Sequence, residues 1–379
     1  LMIQVLDLFS GCGGLSYGFH KLKDTYKVIG AIDFDEHANS SYETNFGIKP
    51  KQLDIGKLSP EVLKNTFNIQ PNMPLVFVGG PPCQGFSSHK KKDKRLDERN
   101  SLVARYVELA IQCNADSIVI ENVPDLFAKK HWSHYKAAKE LLDSNGYNTV
   151  STIVNMAEYG VPQERFRAVV IASKNKQFSL PPIECNREQF KTVRDVLEQL
   201  PKLAAGEKCK DDPMHITSSH RKSTIDIFKQ VPADGGSRPR GVGPKCLDKV
   251  NGFSDVYGRL FWDKPSVTIT ARCRTPSCGR FLHPEQDRGL TVREAALLQS
   301  FPNDFYFEGP FDDKYKQIGN AVPPKFSESL AKHMALCFKN ETTYGMVRTI
   351  DNPIGNSFST FISFIKQGRT IDEFIFQCS

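Results

Sequence analysis

The sequence predicts an α/β fold built on a mostly parallel sheet. Three observations predict it. Short apolar runs of strand length recur through the amino-terminal half, and stretches of helical length separate them. A glycine-rich turn, Ser10-Gly11-Cys12-Gly13-Gly14, follows the first run. Such turns let a ligand approach the backbone at the carboxyl ends of parallel strands.

The elements follow in chain order. Residues 3–9 read as the first strand, and 15–21 open a helix. Residues 28–33 form the second strand, and 75–78 and 117–120 are further buried strands. Helices are expected over 102–113 and 134–145, and a later strand over 168–172. Strands alternating with helices in this way pair in parallel through right-handed crossovers. Near the end of the chain, Phe358, Phe361, Phe364 and Ile365 have helical spacing and read as a packing face.

A chain of 379 residues exceeds one ordinary core, so one large α/β domain and a smaller one are expected. Hydrophobic content of 39% and charged content of 25% are those of a globular chain. A net charge of +7 favours an anionic partner such as nucleic acid. No apolar run is long enough to span a bilayer, and no secretory signal pattern opens the chain. The ten cysteines stand at 12, 83, 113, 185, 209, 246, 273, 278, 337 and 378, with no CxxC pair. Cys273 and Cys278 lie nearest each other but lack a histidine pair with zinc spacing, so no metal is expected. A reactive thiol needs a reducing compartment, which makes the cytoplasm the expected location.

Asp33 ends the second strand about twenty residues after the glycine turn, where a carboxylate reaches ribose hydroxyls. That arrangement also suits NAD. Gly11-x-Gly13-Gly14, however, lacks the third glycine, inside the helix, of the dinucleotide pattern. Phe9 and Phe34 supply faces for an adenine and a sulfonium-bearing chain; the alternative for each is an ordinary core position. A ribose-and-adenine ligand without a diphosphate fits best, and S-adenosylmethionine is such a ligand.

The run 75–78 leads into Gly79-Gly80-Pro81-Pro82-Cys83-Gln84-Gly85-Phe86-Ser87. One cysteine thus sits past a strand end, behind two prolines that fix φ and stiffen its approach. It reads as an aimed nucleophile, against the alternative of a Gly-Pro turn with an incidental cysteine. Strand 117–120 ends in Glu121-Asn122-Val123-Pro124, which places a carboxylate on the same sheet edge. In Tyr159-Gly160-Val161-Pro162-Gln163-Glu164-Arg165-Phe166-Arg167, alternation puts Arg165 and Arg167 on one face. Either arginine alone would read as a surface ion pair. Together with the carboxylate, they suggest a planar polar ring held beside a thiol.

In their order along the chain, these blocks resemble the DNA cytosine-5 methyltransferases of bacterial type II restriction–modification systems. The resemblance rests on Asp7-Leu8-Phe9-Ser10-Gly11-Cys12-Gly13-Gly14, on Gly80-Pro81-Pro82-Cys83-Gln84-Gly85-Phe86-Ser87 and on Glu121-Asn122-Val123. Gln163-x-Arg165-x-Arg167, Thr291-Val292-Arg293-Glu294-Ala295-Ala296, Gln299-Ser300-Phe301-Pro302 and Gln317-Ile318-Gly319-Asn320-Ala321-Val322-Pro323-Pro324 complete it. It covers about residues 3–335, apart from a variable stretch. It implies a Rossmann-like S-adenosylmethionine-dependent methyltransferase sheet with a second, smaller target-recognition domain. The implied parts are a cofactor-binding and catalytic domain at 1–177, a DNA-reading domain at 178–290 and a return segment at 291–340. Residues 341–379 fall outside the resemblance and carry no assigned role.

The resemblance also implies residue roles. Cys83 is the nucleophile that adds to carbon 6 of cytosine. Glu121 contacts ring nitrogen 3 and the amino group, and must spend time protonated. Arg165 holds the cytosine carbonyl and the glutamate, with Arg167 as its support. Cofactor contacts fall to Phe9, Gly11, Gly13, Asp33, Phe34, Asp54, Ile55, Pro81, Leu102 and Asn320. Asp33 takes the ribose, Phe34 the adenine face and Asp54 the adenine amino group. The family often has tryptophan at the position of Phe34 and glutamate at that of Asp33; both changes keep the chemical role. The partner is double-stranded DNA whose target base is flipped into the pocket. The enzyme is expected to act as a monomer beside a cognate endonuclease.

The loop 87–100 is expected to close behind the flipped base, with Gln84, Ser87, Lys90, Lys91 and Arg99 meeting DNA. Arg240 lies in a glycine–arginine loop, and Arg272, Arg274 and Arg280 cluster further on. Arginines there read guanine or clamp phosphate. Thr268 resembles the threonine beside the target phosphate. The rival readings are an RNA cytosine-5 methyltransferase on the same fold, a NAD-linked dehydrogenase and a catalytically silent DNA-binding regulator. Gln84-Gly85-Phe86-Ser87 follows the DNA pattern, and cysteine, glutamate and arginine are all present.

Overall fold

The computed structural model describes residues 2–82, 101–174, 178–249, 255–340, 345–366 and 369–373. Six strands form one sheet in the order β2-β1-β3-β4-β6-β5. β1 (Ile3–Leu8), β2 (Tyr26–Ile32), β3 (Leu75–Gly79) and β4 (Ser117–Asn122) are parallel neighbours. β5 (Asn148–Asn155) forms the far edge, and β6 (Phe166–Ser173) runs antiparallel between β4 and β5. The mostly parallel sheet read from the sequence is therefore present, with one reversed strand. β5 escaped the sequence reading because Thr149, Ser151 and Thr152 interrupt its apolar run.

Several element boundaries shift by one or two residues from expectation, and two of the shifts bear directly on the site. β1 stops at Leu8 because Phe9 takes a left-handed backbone, φ 63°, which ends extended pairing. β4 runs on through Glu121 and Asn122, so the carboxylate is carried on the strand itself. Ile32, Leu8, Gly79 and Ile120 are register partners across β2, β1, β3 and β4. One residue beyond that row, Asp33, Phe9, Gly80 and Glu121 follow in a line along the sheet edge. Gly79 is required here, since a Cβ would stand 2.4 Å from the Leu8 carbonyl oxygen.

Both faces of the sheet are covered, as buried parallel strands require. Leu63, Val103, Tyr135 and Phe361 bring helices Pro60–Thr66, Leu102–Gln112, Trp132–Ser144 and Phe358–Lys366 onto one face. Phe19 and Phe326 bring Tyr17–Lys21 and Pro324–Phe338 onto the other. A further core joins Val193, Leu260, Trp262 and Ile269 to Val292, Phe301 and Tyr315. The segment between the sheet and the return helices thus shares its packing with those helices. Arg280, grouped by sequence with the DNA-facing arginines, is buried instead. It donates to Asp255 and to the carbonyls of Gly235, Gly236 and Arg259, so it holds loops together.

Candidate active site

The sheet edge opens into a cavity of about 230 Å³ whose wall includes Phe9, Gly11, Asp33, Pro82, Glu121 and Asn320. Four of the ten expected cofactor residues, Phe9, Gly11, Asp33 and Asn320, therefore meet with Glu121 around one space. Pro82 is the residue bonded to Cys83. Cys83 itself, with Gln84, Ser87, Lys90, Lys91 and Arg99, lies outside the described residues.

Asp33 is fixed by two backbone donors. Gly11 N donates to Oδ2 at 2.8 Å and Asp35 N to Oδ1 at 2.9 Å. A carboxylate has about four acceptor sites, so each oxygen retains capacity for a ribose hydroxyl. Burial raises the Asp33 pKa, and the Asp35 and Gly11 amides offset part of that. The buried Ser10 hydroxyl also lines the cavity and has no partner within the described residues. A polar ligand of nucleoside type fits these groups.

The remaining expected cofactor residues stand elsewhere. Phe34 is 63% exposed beside Asp33, an open ring face at the rim. Gln52 donates to the Phe34 carbonyl at 3.2 Å and so holds the segment carrying Asp54 near that rim. Asp54 accepts from Gly56 N at 3.0 Å. Gly13 belongs to packing rather than to the cavity wall, because its Cβ would stand 2.3 Å from the Phe46 ring. Ile55 is a core residue under the sheet. Pro81 is buried and accepts from Asn122 Nδ2 at 2.7 Å. Leu102 is half-buried at the start of its helix.

The expected contact of Arg165 with the glutamate is made by Arg167 instead. Arg167 Nε lies 3.1 Å from Glu121 Oε1. Arg165 is fully buried and donates to the carbonyls of Ile269, Gly319 and Ala321, at 3.0, 3.0 and 3.1 Å. Arg165 therefore joins the strand entry, the segment at 266–270 and the helix Phe311–Asn320. The cause lies in the register: Arg167 stands in β6, one residue before Ala168, the partner of Asn122. Arg165 precedes the strand. Burial raises the Glu121 pKa, while the Arg167 and Arg165 charges pull it back.

Sequence reasoning missed Asp35, Lys316 and Gln317, which also line the cavity. Asp35 caps helix Glu36–Phe46 and pairs with Lys316 at 2.8 Å. Burial alone would raise its pKa, but the Lys316 hydrogen bond and the helix amides bring it below the ordinary value. The signal for Lys316 was its place four residues before Asn320, hence on the same helix face.

Of the expected DNA contacts, Arg240 and Arg272 are exposed. Arg274 is half-buried, bonded to Ser218 and Asp312 and set over the Phe311 ring. Thr268 donates its hydroxyl to the Glu164 carbonyl at 2.9 Å. Among the described residues no cluster of three or more His, Cys, Asp or Glu could hold a metal ion. No helix among them is long and apolar enough to cross a membrane.

The six-stranded sheet with helices on both faces and a polar cavity at its strand ends is that of a Rossmann-like methyltransferase fold. The C-5 cytosine-specific DNA methylase model matches residues 3–335, so the chain belongs to that family and is a DNA cytosine-5 methyltransferase. It is 33% identical over 338 residues to the Type II methylase M.HgiDII of Herpetosiphon aurantiacus, covering 86% of this chain and 94% of that one. It is 33% identical over 345 residues to the Type II methyltransferase M1.HphI of Haemophilus parahaemolyticus, covering 90% and 89%. Among solved structures, an Escherichia coli prophage protein crystallised as a candidate DNA modification methyltransferase is similar with TM-score 0.67 at 24% identity. That likeness covers 89% of this chain and 99% of the other. The Dnmt2 methyltransferase of S. pombe is similar with TM-score 0.57 at 20% identity, covering 89% and 99%.

Proposed function

We propose that the protein methylates carbon 5 of a cytosine within one short double-stranded DNA sequence, as the protective methylase of a type II restriction–modification system. The observation that carries this reading is the Glu121–Arg167 pair at a cavity whose wall includes Pro82, the neighbour of Cys83. The Type II names of the similar proteins support the protective role.

The Cys83 thiolate adds to carbon 6 of the flipped cytosine and makes carbon 5 electron-rich, which divides one hard step into two easier ones. Glu121 donates a proton toward nitrogen 3, and Arg167 orients Glu121 and the ring carbonyl. S-adenosylmethionine, when bound, supplies the methyl group. Loss of the carbon-5 proton then expels Cys83 and restores the ring. Asp33 takes the ribose hydroxyls, Phe34 covers the adenine, Asp54 meets its amino group, and Asn320 closes the wall. Base flipping brings the target within reach. The basic residues at 87–100 add positive charge toward the phosphates, while Arg240, Thr268, Arg272 and Arg274 meet the duplex across the DNA-reading region 178–290. The enzyme acts as a monomer in the bacterial cytoplasm, beside a cognate endonuclease.

The test is transfer of labelled methyl from S-adenosylmethionine to mixed-sequence duplex DNA and to total RNA, with wild type and Cys83→Ala side by side. Bisulfite sequencing then maps the methylated DNA. Label in DNA at one short motif, lost in the variant, is the expected result. Label in RNA alone would move the substrate to RNA.

A further inference from the structure

Residues 345–366 lie beyond the family match at 3–335. They run along the sheet behind the active site and touch the turn that follows β4 and the start of β6, the two strands that carry the Glu121–Arg167 pair. The contact starts at the sheet's outer edge. Ser151 N of β5 donates to the Arg348 carbonyl at 2.6 Å, and Ile350 N donates to Ser151 Oγ at 2.8 Å. Edge strands need such cover.

The segment then grips the turn that follows β4. Ile354 N donates to the Phe127 carbonyl at 2.8 Å, and Lys129 N to the Gly355 carbonyl at 3.1 Å. Phe358 N donates to Asp125 Oδ1 at 3.1 Å. Asp125 stands four residues after Glu121, in the turn Pro124–Phe127 that follows β4. Finally the helix Phe358–Lys366 covers the entry to β6. The Phe361 ring meets Phe166 edge-on, with centroids 5.3 Å apart, and Phe358 lies 6.2 Å from the same ring. Phe361 is 2% exposed. Phe166 is bonded to both Arg165 and Arg167, so its seat fixes where the arginines begin.

We infer that residues 345–366 form a strap that positions the Glu121–Arg167 pair for the methyl-transfer step. The inference rests on the catalytic reading of that pair. Glu121 and Arg167 arrive on separate strands, and their 3.1 Å contact requires both strand ends to be held at one spacing. The strap is bonded to the turn after one and packed on the residue before the other. None of the strap contacts named above is with a cavity-wall residue, so Asp125, Phe358 and Phe361 act through the pair as positioning residues. Small displacements at reacting groups cost large rate factors.

The test is single-turnover methyl transfer on the DNA motif mapped by bisulfite sequencing, for wild type, Phe361→Ala, Phe361→Leu and Asp125→Ala. Active sites are counted by the calorimetric stoichiometry of S-adenosylhomocysteine. We expect the rate per active site to fall about tenfold or more in Phe361→Ala and Asp125→Ala. The DNA and S-adenosylhomocysteine dissociation constants should stay within about twofold, and Phe361→Leu should recover most of the rate, because an apolar side chain of similar bulk refills the seat. Rates per active site equal to wild type in both alanine variants would overturn the strap, whatever happens to their melting temperatures. Should Phe361→Ala fail to fold, Asp125→Ala alone decides. A wild-type enzyme that transfers no methyl to DNA would overturn the functional reading, and this inference with it.

Discussion

Arg167 Nε contacts Glu121 Oε1 at 3.1 Å, with 14% and 10% of the two side chains exposed. A buried pair of this kind contributes little net stability, because desolvation of both charges offsets their attraction. Its effect falls on protonation. Burial raises the Glu121 pKa, and the Arg167 and Arg165 charges restrain the rise. In the proposed mechanism, this is the carboxyl that holds a proton for nitrogen 3 and releases it afterwards.

Replacing Arg167 by methionine removes a positive charge beside that carboxyl. The Glu121 pKa then rises further, so its protonated form persists to higher pH. We predict that Arg167→Met lowers the single-turnover rate by about a hundredfold or more. The alkaline limb of the residual rate should move to higher pH. A limb that moves to lower pH would contradict the assignment of Glu121 as the acid.

Arg165 and Arg167 should separate cleanly in stability. Arg165 donates to three buried carbonyls, those of Ile269, Gly319 and Ala321. Hydrogen bonds to a charged group contribute about 1.5–3 kcal/mol each, and unpaired buried acceptors add a penalty. Arg165→Met should therefore lower the unfolding free energy by about 3 kcal/mol or more. Arg167→Met should cost clearly less, since its partner Glu121 can take up a proton and become neutral. Urea denaturation of both variants measures this, and equal losses would refute the division of roles.

Much of this site was legible in the sequence, and the part that was not has a physical cause. Strand ends are local events, so Phe9, Asp33, Gly80 and Glu121 could be placed on one edge from their apolar runs alone. Which arginine meets Glu121 is set by antiparallel register between β4 and β6, and alternation fixes a face but not a register. β5 was hidden because a strand covered by the carboxyl-terminal segment can hold Ser151, whose hydroxyl pairs with Tyr135. Gly13 looked like a ligand contact, yet the Tyr42 and Phe46 rings, twenty-nine or more residues away in sequence, are what exclude a side chain there. Arg280 looked like a DNA contact because nothing local reveals that Asp255 and three carbonyls surround it.

Asp33 and Phe34 should govern the cofactor and not the DNA. An asparagine at 33 can still accept from one of the two amides at Gly11 and Asp35, but it offers a weaker acceptor for ribose. We predict that Asp33→Asn and Phe34→Ala each weaken S-adenosylhomocysteine binding by about tenfold or more, from lost charge-assisted hydrogen bonding and lost ring contact. The DNA dissociation constant should hold within about twofold. Calorimetry with S-adenosylhomocysteine and a DNA-binding assay run in parallel would check both. Equal loss in the two assays would mean that these residues act by holding the fold.

Asp7 lies in β1 directly under the site, fully buried, and neither carboxyl oxygen has a hydrogen bond of ordinary geometry. Burial pushes its pKa up to about 8; Ser16, whose hydroxyl pairs with Tyr42 at 2.9 Å, offsets part of the rise, and Asp33 adds to it. An unfolded aspartate titrates near pH 3.9. Below that pH both states are protonated and Asp7 adds no pH dependence to stability. Between about pH 4 and 8 the unfolded chain has released a proton that the folded chain retains, so stability falls as pH rises. Asparagine has nearly the same shape and no proton to lose. We predict that Asp7→Asn matches or slightly trails wild type near pH 4 and gains on it steadily up to pH 8. At about 1.4 kcal/mol per unit, the gain between pH 5 and 8 amounts to as much as about 4 kcal/mol. Chemical denaturation of both proteins across that range is the measurement. A difference that does not change with pH would show that Asp7 is ionised in the folded protein and that an unseen donor holds its charge.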